Sequence, residues 1–281
     1  MGAVLAGRPG DRPGYLLEEL TWAEAAGLLA EDLVVLVPIG AATKEHGRHL
    51  PLGTDFYLAD ALRRAAVDRT RVVALPVVSY GYYPAFAAWP GSVSVGPVTF
   101  AATVADIVRS LVRQGWRRFC LLNTGVSTTG PLDAACRELV TELPGIRLAM
   151  TRGLGEAVWA SLREERAGTH AGEHETALML TVRPDLVNMS EAAPEVIAKP
   201  AAFQTGAGRP PLANLYGAMS SDPDGPSEFF TASGVHGDPT LATADKGHAA
   251  WAAMVDDLVA VLEQLALLRL TGPAGPPETG P

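Results

Sequence analysis

Residues 33–55 read "LVVLVPIGAATKEHGRHLPLGTD", and the abrupt change inside that stretch decides the fold. Leu33 to Gly40 form a continuous apolar run of strand length with no polar alternation, the pattern of a strand covered on both faces. Lys44 to Asp55 then crowd Glu45, His46, His49 and Asp55 into a turn-rich loop. Upstream, Thr21 and Glu24 have capping-box spacing and open a helix in "TWAEAAGLLAE" (21–31). Downstream, Thr54 is placed to cap a helix over 55–69, and "RVVALPVV" (71–78) reads as a second strand. Thr99 starts a helix that Gly115 stops, and "RRFCLLN" (117–123) is a third strand. A helix from Pro131 to Leu143, a fourth strand "IRLAMT" (146–151), a short helix "ETALMLTV" (175–182) and a last helix over 243–268 complete the chain. Strands alternating with helices at this spacing imply right-handed βαβ crossovers. The expected fold is α/β: a three-layer α/β/α arrangement around a mainly parallel sheet.

No repeat or composition shift marks a second domain, so 15–270 reads as one unit. The Gly/Pro-rich ends, 1–14 and 271–281, read as disordered, and 184–235 as an irregular Pro-rich stretch. A formal charge of -9 with scattered Lys and Arg argues against a nucleic-acid partner. Cys120 and Cys136 lack CxxC spacing and do not make a disulfide framework. No signal-like leader or membrane-spanning run is apparent, so a soluble cytoplasmic protein is expected.

In such sheets ligands bind outside the carboxyl ends of the strands, which is where the loop carrying Glu45, His46, His49 and Asp55 emerges. Imidazole and carboxylate together suit zinc, or manganese or iron. Taken singly, each His reads more readily as a structural residue; clustered at a strand end, the group reads as a metal site. "HAGEHET" (170–176) is a second cluster, with His170, Glu173, His174 and Glu175 just before an apolar helix. Its alternative is a charged first turn favoured by the helix dipole. The aromatic loop "SYGYYPAFAAWPGSVSV" (79–95) supplies Tyr80, Tyr82, Tyr83, Trp89 and Ser92 as pocket walls, or else packs as an Ω-loop. Asn123 ends the third strand, and "SGVHGDPTLAT" (233–243) presents His236 in a turn. There is no GxSxG elbow, GxGxxG or P-loop, which argues against serine hydrolysis and nucleotide cofactors.

Together these segments resemble, in order and over most of the chain, the creatininase (creatinine amidohydrolase) family. "VPIGAATKEHGRHLPLGTD" resembles the family's P-x-G-x-x-E-Q-H-G-P-H-L-P-L-x-T-D, and "THAGEHETALML" its H-A-G-x-x-E-T-S-x-M-L. The resemblance implies a homohexamer and metal-dependent cleavage of C–N bonds by two bridged ions. Carried over, His46, Asp55 and Glu175 are metal ligands, and His170 is a catalytic or substrate-binding residue. Lys44 stands where the family has Glu, Gly125 where it has His, and Ser127 where it has an acid. One ion rather than two is therefore expected, with His49 or Glu45 assisting. The expected function is hydrolysis of a small cyclic or linear amide, with His170, Glu45 and Glu173 as catalytic groups. Tyr80, Tyr82, Tyr83, Trp89, Ser92, Asn123 and His236 would contact the substrate. The rivals are a lyase, cyclase or isomerase on the same metal scaffold, and a metal-free binding protein.

Overall fold

The computed structural model describes residues 12–151, 153–166, 168, 170–195 and 231–270. The parts of the expected irregular or disordered stretches at 1–11, 196–230 and 271–281 lie outside the described residues. The sheet has five strands, in the order β1 (Tyr15–Leu16), β3 (Val72–Ala74), β2 (Val34–Ile39), β4 (Arg118–Asn123), β5 (Arg147–Met150), all paired in parallel. Every residue of β2 is buried. Val35, Val37 and Ile39 pack with α1 (Trp22–Leu28), α3 (Pro97–Gln114) and α4 (Thr129–Glu142). Val34 and Leu36 face α2 (Thr54–Arg69) and α7 (Ala244–Leu267) on the other side. This two-sided burial is why the run has no polar alternation, and it makes the three layers. Two further helices, α5 (Glu156–Leu162) and α6 (Glu173–Val182), join α7 and α2 in a third apolar cluster that includes Trp159, Leu178 and Ala250.

Some boundaries differ from those the sequence suggests. Thr54 is the first residue of α2, not its cap, and its hydroxyl donates to Pro51 O at 2.8 Å. Helix α3 begins at Pro97, a residue whose ring suits the first helical position, rather than after Thr99. The second strand stops at Ala74 because Pro76 has no N–H to continue the ladder, although Val78 N still bonds Pro38 O at 2.8 Å. The two-residue β1 and the seven-residue α5 were not anticipated; neither is long enough to show a period. Among the described residues no helix is long and apolar enough to cross a membrane.

From β2 the chain crosses to β3 on one side, then returns past β2 to β4 on the other. The strand order therefore reverses at the carboxyl ends of β2 and β4, where α/β sheets open a crevice. Gly40 closes β2 against the start of α2: a Cβ there would lie 2.3 Å from Asp55 O.

Two glycine substitutions test the packing with opposite signs. A Cβ at Gly247 of α7 would stand 1.9 Å from Ala177 O of α6, whereas one at Gly27 of α1 meets nothing within 4 Å. In urea denaturation, Gly247→Ala is expected to cost about 1–3 kcal/mol and Gly27→Ala to gain about 0.5–1 kcal/mol.

Candidate metal centre

The loop after β2 folds back on itself, with Lys44 N bonded to Leu52 O and Phe56 N to Ala41 O. This carries Asp55 into the first turn of α2, where the helix dipole favours a carboxylate. His46 lies fully buried against it. Its Nδ1 is 2.9 Å from Lys44 O, so the ring donates there and turns Nε2 toward the acids. That nitrogen is 3.3 Å from Asp55 Oδ1 and 3.9 Å from Glu175 Oε1. Glu175 comes from the first turn of α6, more than a hundred residues along the chain, so the two sequence clusters do meet.

His170 enters from the turn before α6. Its Nε2 is 3.1 Å from Glu45 Oε2, and its Nδ1 faces Glu175 Oε2 at 3.8 Å. A carboxylate on one ring nitrogen, with the other aimed at a second acid, is the arrangement that orients an imidazole as a metal ligand. The ligand atoms of His46, His170 and Glu175 all lie within 4.8 Å of one another. Glu45 is held by Ser92, whose hydroxyl accepts its N–H at 2.9 Å, and by Gly47 N–H on its other oxygen. The turn between His170 and Glu175 is tight: Ala171 has a φ of 50°, and its N–H donates to Glu175 Oε2 at 2.5 Å.

Lys44 completes the group. Its Nζ lies 2.7 Å from Asp55 Oδ2 and 5.1 Å from the centroid of Phe86, whose ring also stacks at a tilt on His170, 4.3 Å away. Burial opposes the ammonium, but Asp55 and Glu175 outweigh it and raise the Lys44 pKa. Burial likewise opposes the Asp55 carboxylate, and Lys44 and His46 more than reverse it. Glu175 is held low in the same way, against burial, by His46, His170 and Lys44. His170 is pushed down, chiefly by burial. The centre thus sets three carboxylates, of Glu45, Asp55 and Glu175, around the one ammonium of Lys44.

Other expected site residues are placed elsewhere. Glu173 does not reach the cluster: it accepts the N–H groups of Glu164 and Glu165 at 2.9 and 2.8 Å and pairs with Lys246. His49 is not among the converging ligands: its Nε2 is bonded to Thr176 Oγ1 at 2.9 Å, and its Nδ1 is buried without a hydrogen-bond partner. Ser92 supports Glu45 instead of facing the large cavity described below. Asn123 spends its amide on Gly125 O, Thr128 and Thr129, stapling its own loop at the cavity wall. Tyr83 is buried, and its hydroxyl donates to Val93 O at 2.6 Å. Tyr82 packs on the α1/α3/α4 core, Trp89 is half-buried, and Tyr80 is exposed.

Glu175, 24% exposed along its side chain, opens with His170 onto a cavity of about 950 Å³ whose far wall includes Trp159 and Arg163. His236 lines it too. Its backbone bridges His170 in both directions, and Gly237 pairs likewise with Glu195, whose carboxylate takes Ala232 N and Ser233 N. Phe86 and Thr176 were missed by sequence reading. Phe86 sits in the aromatic loop already singled out, whereas nothing in the pattern marks Thr176 as the partner of His49.

The chain matches the family model described as creatinine amidohydrolase over residues 18–262. It is 32% identical over 190 residues to a creatinine amidohydrolase of Pseudomonas putida, covering 61% of this chain and 73% of that one. It is 33% identical over 232 residues to a mycofactocin precursor peptide peptidase of Mycolicibacterium smegmatis, covering 79% and 81% respectively. Among solved structures it superposes on a creatinine amidohydrolase (creatininase) with a TM-score of 0.72 at 26% identity, over 90% of this chain and 98% of that one. A creatininase described with Mn gives a TM-score of 0.71 at 25% identity, over 91% of this chain and 100% of that one.

Burial moves the His49 pKa from 6.5 to about 4. As pH falls the unfolded chain takes up that proton first, so stability present above pH 6.5 is lost on the way down to about 4. In chelator-treated protein the urea midpoint is expected to drop between pH 7 and 5, and to drop less in His49→Gln. Equal losses in the two proteins would contradict this assignment.

Proposed function

The chain belongs to the creatininase family and is an amidohydrolase of that family, and on that premise we propose that it cleaves an amide C–N bond at a divalent-metal centre built on His46, His170 and Glu175. One observation carries the reading. Two buried imidazoles each have one ring nitrogen tied to an acceptor, Lys44 O or Glu45, while their other nitrogens converge on the same carboxylate. That donor set fits zinc well and manganese or iron acceptably. An ion held there would polarise the amide carbonyl and bring a water toward neutral pKa.

The protein's own groups divide the remaining work. Glu45 keeps the His170 ring oriented, and the Lys44 O acceptor keeps Nε2 of His46 turned toward the carboxylates. Glu175 is the carboxylate of the three that opens on the cavity, so the ion it helps to hold would face an incoming substrate there. Glu173, expected as a catalytic group, instead holds the turn before α6 to α7 through Lys246.

The substrate class suggested by the motifs is a small cyclic or linear amide. A second reading is favoured by the cavity: about 950 Å³ leaves room for several residues of a peptide, and a relative in Mycolicibacterium is named a peptide peptidase. Comparing cyclic amides with short peptides by mass spectrometry separates the two. Incorporation of ¹⁸O from labelled water into the product carboxylate separates hydrolysis from elimination, cyclisation or isomerisation. We further propose a homohexamer, on the family resemblance alone; sedimentation at micromolar concentration should show one species of about six chains, and a monomer would remove the proposal.

Chelation should abolish turnover, and zinc or manganese should restore it. His46→Ala and Glu175→Gln are each expected to weaken ion binding about tenfold or more. Glu173→Gln should lower thermal stability while leaving ion affinity intact. His170→Ala should also lose the ion; retention of the ion with loss of turnover would instead make His170 the proton-transfer group, the role the motif resemblance implied for it.

A further inference from the structure

We propose that Lys44 is a tethered cation that holds the position of a second divalent ion on Asp55, so that the centre takes one ion per chain. This rests on the metal reading given above. The ammonium lies 2.7 Å from Asp55 Oδ2, with only 8% of the side chain exposed. Asp55 therefore has one oxygen on a fixed cation and the other, 3.3 Å from His46 Nε2, turned toward the converging ligands. A carboxylate divided in this way bridges two positive positions, and one of them is filled by the chain itself.

The surroundings of that filled position lack further strong metal ligands. Lys44 and Asp55 border a small cavity of about 10 Å³, room for about one water. Among the described residues its lining holds no His or Cys and no carboxylate besides Asp55; its other side-chain polar groups are the hydroxyls of Tyr83, Ser127 and Thr128. Among the described residues, His46, His170 and Glu175 are the one group of three converging ligands.

Charge points the same way. Three carboxylates against one ammonium leave two negative charges in a buried site, which one divalent ion neutralises. A second ion would leave the pocket doubly positive. Replacing Lys44 by Glu raises the deficit from two to four and gives Asp55 a carboxylate neighbour, the conditions for a second ion.

The test is a zinc titration of chelator-stripped protein, with bound metal read by elemental analysis after gel filtration and affinity by calorimetry. Wild type should bind one zinc per chain and Lys44→Glu two. Lys44→Gln should still bind one, about tenfold or more tightly, because a repelling unit charge a few ångströms away is gone. If Lys44 merely props the loop, Lys44→Gln binds zinc more weakly and Lys44→Glu binds no more than one; either result overturns the proposal. Two zinc ions on the wild type overturn this inference alone, whereas none overturns the functional reading with it. Circular dichroism checks each fold, and should Lys44→Glu fail to fold, the direction of the Lys44→Gln affinity change decides.

Discussion

The centre depends on keeping Asp55 charged where it is buried. A buried carboxylate is costly unless it is paired and hydrogen-bonded, and here it is served by the Lys44 ammonium, the His46 ring and the first turn of α2. Each requirement reaches back into the fold. The first turn of α2 comes close only because Gly40 lets the end of β2 touch it. Lys44 stays in place because the loop bonds back to Leu52. His46 turns Nε2 to the centre because a backbone carbonyl occupies the other nitrogen.

The second half of the centre is assembled by helix packing. Helix α6 lies along α7 and touches α2, with α5 closing the third apolar cluster behind it. Both Asp55 and Glu175 therefore stand in first turns, and two helix N-termini point toward one small volume. Such termini favour anions, which lets the protein gather carboxylates before any counter-ion arrives. His174 is turned the other way and stacks on Trp159, so it helps fix how α6 is rotated.

Much of this was legible in the residues, and the misreadings have physical causes. The continuous apolar run of β2 and the capping box at Thr21 and Glu24 left few alternatives, and both are present as read. His46, Asp55 and Glu175 were named from their motifs and meet in space. Glu173 was not separable from Glu175 by composition. Two positions apart on a helix, however, side chains point about 200° from one another, so only one of the pair can face the centre. His49 fails for a similar reason: nearness in sequence to His46 says nothing about which way a ring turns, and Thr176 claims it. Lys44 could be seen only as an odd residue in the motif. Its meaning required the distance to Asp55.

The pairing of Glu195 with Gly237, beside the bridge between His170 and His236, has a separate consequence. The chain leaves this wall at Glu195 and returns at Thr231, and the Glu195 carboxylate grips the returning chain at Ala232 and Ser233. The ends of the intervening segment are thus fastened together independently of its length. Closing a longer or shorter loop between fixed posts changes the entropy only logarithmically. The hydrogen bonds that tie Glu195 to Gly237 and His170 to His236 accordingly hold this wall by themselves, so a change in the chain between the posts need not disturb the ring that faces Glu175.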